Sequence, residues 1–112
     1  MIRPLLASVA LAIGLLATAG GVSAADAPLK VLLITGGCCH DYKAQKDILK
    51  TGLEARVNCT IEQIHVDDHS TKPPLPILGN PDYAKGFDLV IHDECAVDVK
   101  DFVVIAGVLK PH

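Results

Sequence analysis

The sequence predicts an α/β protein: an open, doubly wound parallel sheet of about three strands that follows a secretory leader. Three observations predict it. The first residues form a basic, then apolar, then small-residue leader. A continuous apolar run, Lys30-Val31-Leu32-Leu33-Ile34-Thr35, stops at Gly36-Gly37. Beyond it, strand-like and helix-like patterns alternate as strand, helix, strand, loop, strand, helix, which is the order of a parallel sheet with crossovers.

The leader spans residues 1–24. Arg3 is its one charged side chain, an apolar run extends from Leu5 to about Ala19, and Gly20-Gly21-Val22-Ser23-Ala24 closes it. Val22 and Ala24 suit the small pockets of a signal peptidase, so cleavage is expected between Ala24 and Ala25. A membrane anchor is the alternative. However, the apolar run is shorter than the ~20 residues a spanning helix needs, and it contains Gly14. The expected product is a secreted or periplasmic domain over residues 25–112, with no membrane segment after cleavage.

Each element has its own signal. Residues 30–35 read as a central strand, because an apolar run without alternation is buried on both faces. From Asp41 to Arg56 the period becomes helical, with Ala44, Ile48, Leu49, Gly52 and Leu53 predicted on the inward face and Asp41 as the N-cap. Residues 57–66 are rich in β-branched side chains and read as a second, edge strand ending at Asp67-Asp68-His69. Residues 70–82 hold Pro73, Pro74, Pro76 and Pro81 and are predicted as a loop. Gly86 to Ile91 leads into a third strand that ends near His92-Asp93-Glu94-Cys95. Residues 101–110 predict a buried helix stopped by Pro111. Right-handed crossovers place the first strand between the second and third.

The chain has 112 residues and a formal net charge of −3. Removing the leader with Arg3 makes it more acidic by one. An acidic domain without Trp gives no basis for binding nucleic acid or an anionic membrane. A domain this short buries only ~60–65% of its unfolded surface, which is little for a parallel sheet that needs cover on both faces. After the last helix another strand is expected, so residues 25–112 read as the N-terminal part of a longer domain.

In open parallel sheets ligands bind beyond the carboxyl ends of the strands. Three clusters fall there: Gly36-Gly37-Cys38-Cys39-His40-Asp41, Asp67-Asp68-His69 and His92-Asp93-Glu94-Cys95. The predicted strand order sets the first and last of these on one crevice. Gly36 and Gly37 allow close backbone approach to a ligand, or simply a tight turn. His40 suits a general acid/base, a metal ligand, a donor to a sugar hydroxyl, or a loop residue capping the helix. Asp41, His92 and Glu94 are further ligand-binding candidates. His92, Asp93 and Glu94 are consecutive on a strand, so at most two can face one site. Cys38, Cys39 and Cys95 are nucleophile candidates, although none sits in a nucleophile-elbow sequence. The spacing of the four cysteines matches no zinc signature, adjacent cysteines seldom bond, and at least two of the four are expected to be small buried residues. His65 and His69 read as surface residues. Neither G-x-G-x-x-G nor G-K-[ST] is present, and no cofactor or metal is assigned.

The run Lys30 to Asp41, and Tyr83 to His92 after it, resembles the opening of ThuA-like domains. The resemblance covers most of residues 30–112. It implies a flavodoxin-like, class I glutamine amidotransferase-like sheet and a role in carbohydrate metabolism, on trehalose-type or keto-sugar ligands. His40, Gly36 and Gly37 are the positions it carries over. The amidotransferase nucleophile has no counterpart, so glutaminase activity does not follow from the fold. The expected partner is therefore a small, sugar-like ligand. A non-catalytic carbohydrate-binding or scaffold module and a metal-dependent hydrolase are the alternatives.

Overall fold

The computed structural model describes residues 27–112. The predicted leader and its cleavage site lie outside the described residues. Within these residues the elements are β1 (Leu29–Gly36), α1 (Tyr42–Glu54), β2 (Cys59–Val66), β3 (Leu89–Glu94) and α2 (Phe102–Leu109). The strands form one parallel sheet in the order β2-β1-β3, as the crossover rule predicts. No helix among the described residues is long and apolar enough to cross a membrane.

β1 is the core. Val31, Leu32, Leu33, Ile34 and Thr35 are all buried, because neighbours cover both of its faces. Alternation divides them. Val31 and Leu33 pack with Ile61 against Leu49 and Leu53 of α1. Leu32 and Ile34 point the other way, onto Leu75, Ile77 and Tyr83, with Val90 and Val108 alongside. Each fully buried leucine or isoleucine contributes roughly 1.5–3 kcal/mol.

The second face is closed without a crossover helix. A parallel connection usually carries one, but here the proline-rich segment between β2 and β3 folds as successive turns, including Leu78 N–H to the Leu75 carbonyl (3.1 Å) and Asn80 N–H to the Ile77 carbonyl (3.1 Å). Its prolines do exclude a strand, as predicted. Its role in the core was not predicted, since Leu75, Ile77 and Tyr83 are isolated apolar residues in a turn-forming context.

Several local expectations are corrected. The inward stripe of α1 is Tyr42, Leu49 and Leu53, while Ala44 is exposed and Ile48 is 68% exposed. Tyr42 sets this rotation, because it is the buried side chain of the first turn and residues seven and eleven positions later share its face. β3 begins at Leu89 rather than Gly86. Asp88 fixes the start by bonding both backbone groups of Lys30: its carboxylate accepts from Lys30 N–H (2.8 Å), and its own N–H donates to the Lys30 carbonyl (2.8 Å). α2, predicted as buried, has no fully buried residue, and Phe102 and Val103 are 85% and 82% exposed. Its composition is apolar all round, but it touches the core through one side only.

Side chains of α1 cover the outer edge of β2. Glu54 accepts from the Ile61 N–H (2.8 Å), and Lys50 donates to the Ile61 carbonyl (2.6 Å) and to Glu54 (2.6 Å). These bonds satisfy backbone groups that an edge strand otherwise leaves open. They also hold the Glu54 carboxyl below the usual range, chiefly through the Lys50 hydrogen bond and then the Ile61 amide.

Candidate functional site at the carboxyl ends of the strands

The three strands end side by side, with Gly36 in register with Val66 and Glu94. One residue earlier, His65, Thr35 and Asp93 form a row across β2, β1 and β3. By alternation this row faces α1, together with Val31 and Leu33. Thr35 is fully buried, and its hydroxyl lies 2.9 Å from His65 Nδ1. His65 Nε2 and Asp93 Oδ2 are buried with no hydrogen-bond partner. Gln45 Oε1 shares that condition and sits on the α1 stripe between Tyr42 and Leu49. Buried polar atoms are nearly always paired, so three unpaired acceptor or donor atoms on one face of the sheet end stand out.

Burial raises the Asp93 carboxyl above its ordinary value, and the nearby His40 partly offsets this. Burial also pushes the Tyr42 phenol up, reinforced by the negative groups Cys95, Asp93 and Glu94. His40 itself is exposed, its ring edge-on to Tyr42 at 5.7 Å. It therefore stands at the solvent side of a partly buried polar row. Asp41 accepts from the Ala44 N–H (3.0 Å) and caps α1, as predicted.

Gly36 and Gly37 have φ of +148° and +100°. The Gly37 N–H donates to the Asp68 carbonyl (3.0 Å), so this amide is engaged within the fold rather than turned to a ligand. The Gly36 carbonyl accepts from Cys95 N–H (2.9 Å). A Cβ on Gly36 would sit 2.8 Å from the Val66 carbonyl oxygen, and one on Gly37 would overlap the Cys95 carbonyl oxygen. The glycines thus bind the exit loops of all three strands together.

His92 and Glu94 lie on the opposite face from Asp93, as a strand requires. His92 Nδ1 is 2.7 Å from Glu94 Oε1, and its Nε2 is 3.1 Å from the Tyr83 hydroxyl. That hydroxyl donates to the Val108 carbonyl (2.8 Å) and meets His112 Nε2 at 2.7 Å. Tyr83 is buried and its phenol is pushed up by burial and by Glu94. Glu94 Oε2 is unpartnered and lines a cavity of about 260 Å³ with Leu75, Ile77 and Val108. The candidates predicted for one crevice are therefore split by the sheet: His40 and Asp41 open on the α1 side, His92 and Glu94 on the other. A cleft of about 650 Å³ lies elsewhere again, at the amino ends of the strands beside Lys30, Thr60 and Phe87. Its titratable lining residues are Lys30 and Glu62.

The sulfurs depart from expectation. Cys38 and Cys39 are joined by a disulfide, and Cys95 Sγ lies 3.4 Å from Cys38 Sγ. His65, read as a surface residue, is bonded to buried Thr35, whereas His69 is exposed as expected. The sequence order alone does not join Thr35, His65 and Asp93 in one row. The signal was available in the alternation Val31-Leu33-Thr35 and Ile61-Gln63-His65, once strand register is known.

Compared with known proteins, the chain matches no family model, no curated protein and no solved structure.

Proposed function

We propose that the chain is an exported ThuA-like domain of flavodoxin-like, class I glutamine amidotransferase-like fold. It binds a sugar-derived ligand, of trehalose type or a keto-sugar, on the α1 side of the strand ends. The observation that carries this reading is the row Thr35, His65 and Asp93. It has unpaired buried atoms on His65, Asp93 and neighbouring Gln45, and exposed His40 beside it. A polyhydroxylated ligand supplies donors and acceptors at close spacing, and such groups can satisfy that deficit. His40 is the group that polarises or deprotonates the ligand.

His40→Ala in the full chain tests the reading. Loss of sugar binding, and of any turnover, is expected. Unchanged binding and turnover would remove His40 from the site. A second reading, a carbohydrate-binding module without catalysis, is favoured by the engagement of the Gly37 amide with Asp68, which leaves one fewer donor for a developing negative charge. Ligand binding with no turnover in the wild-type chain selects it.

A further inference from the structure

We propose that Cys38, Cys39 and Cys95 form a redox-gated site for Cu(I), three-coordinate through their thiolates. The proposal is independent of the sugar site, although both use the same loop. The three sulfurs lie within 4.8 Å of one another. They come from the exits of two neighbouring strands and meet because Gly37 admits the Cys95 backbone and Cys95 N–H bonds the Gly36 carbonyl. The convergence is thus held by main chain. Cys39 has φ +85° and is exposed, so an ion can reach the cluster from solvent.

Thiolate softness selects Cu(I) or Zn(II). A structural zinc site takes four protein ligands, and the cluster among the described residues offers three. Cu(I) is satisfied by three.

The Cys38–Cys39 disulfide keeps the site closed. A dithiol reductant opens it: the reductant gives up two electrons and two protons and closes to its own disulfide, while Cys38 and Cys39 become thiols. Binding then forms three Cu–S bonds and releases three protons to solvent.

The test is an anaerobic titration of the reduced full chain with Cu(I), in competition with a chromophoric Cu(I) chelator. Expected are one ion per chain, a thiolate-to-copper absorption band, and no binding by the oxidised chain until it is reduced. Cys39→Ser and Cys95→Ser, each checked for unchanged circular dichroism, should lower affinity by more than the ~10–100-fold that loss of an outer-shell partner costs. Cys59→Ser, at the far end of β2, should bind as wild type. Cys39 is exposed, so its variant keeps the test valid if Cys95→Ser fails to fold. Binding by Cys39→Ser or Cys95→Ser at wild-type affinity would overturn the proposal. So would absence of binding by the reduced wild type, or a preference for Zn(II) over Cu(I).

Discussion

Gly37→Ala probes the joint on which both proposed sites depend. Two costs can be worked from the geometry. The backbone at Gly37 has φ +100°, where a Cβ costs ~1–2 kcal/mol. The new methyl also overlaps the Cys95 carbonyl oxygen and sits 3.0 Å from its carbon, so one exit loop must shift. Forced overpacking of this kind costs ~1–3 kcal/mol. The expected destabilisation is therefore about 2–5 kcal/mol. Gly79→Ala separates the two terms. Gly79 has φ +80° but nothing within 4 Å of an added Cβ, so it should lose only the ~1–2 kcal/mol conformational part. The assay is urea unfolding followed by circular dichroism. With an m-value of about 1 kcal/mol per M, the Gly37→Ala midpoint falls by ~2 M or more, further than that of Gly79→Ala. Equal losses in the two variants would show that the Cys95 carbonyl does not press on Gly37. No loss in Gly37→Ala would refute the reasoning altogether.

Other outcomes follow from the packing and charge. Leu33→Ala removes a fully buried side chain between β2 and α1 and should cost ~2–5 kcal/mol in urea unfolding; a loss below ~1 kcal/mol would mean the site collapses freely. Glu54→Ala removes the acceptor that holds the Ile61 amide and should cost ~1 kcal/mol, with faster amide exchange at Ile61. Unaltered exchange there would remove Glu54 as the guard of the β2 edge. For Asp93 the folded pKa is raised by burial, so the native state holds a proton that the unfolded state releases. Its effect on stability is absent below the unfolded pKa and becomes an increasing penalty as pH rises through the folded one. Asp93→Asn should thus match wild type in acid and exceed it in stability at neutral pH. The opposite order at neutral pH would show that the carboxylate is paired.

How far the fold was legible depended on whether the signal was local. β1 announced itself because a central parallel strand needs an unbroken apolar run and a turn that glycine permits. Strand order followed from crossover handedness, and Asp41 was recognisable as a cap from its place before a helical period. The helical period alone does not give the orientation of α1: Ala44 and Ile48 fit it equally well, and the burial of Tyr42, decided by the sheet end it covers, selects the face. The cover on the second face was illegible: Leu75, Ile77 and Tyr83 share no period, and only the closed chain brings them onto Leu32 and Ile34. Site residues followed the same rule. His92 with Glu94, and Asp93 opposite, follow from strand alternation. The row Thr35-His65-Asp93 requires inter-strand register, and the sulfur cluster requires the approach of two loops 57 residues apart in sequence.

The central claim is that ligand binds at the carboxyl ends of the strands on the α1 side. A 1H–15N correlation titration of the full chain with trehalose, glucose and a 3-keto-glucoside addresses it most directly. The account predicts saturable shifts confined to His40, Tyr42, Gln45, His65 and Asp93, abolished by His40→Ala. Shifts centred instead on Lys30, Thr60, Gly86 and Phe87, at the larger cleft on the opposite end of the sheet, or no shifts with any of the sugars, would contradict it.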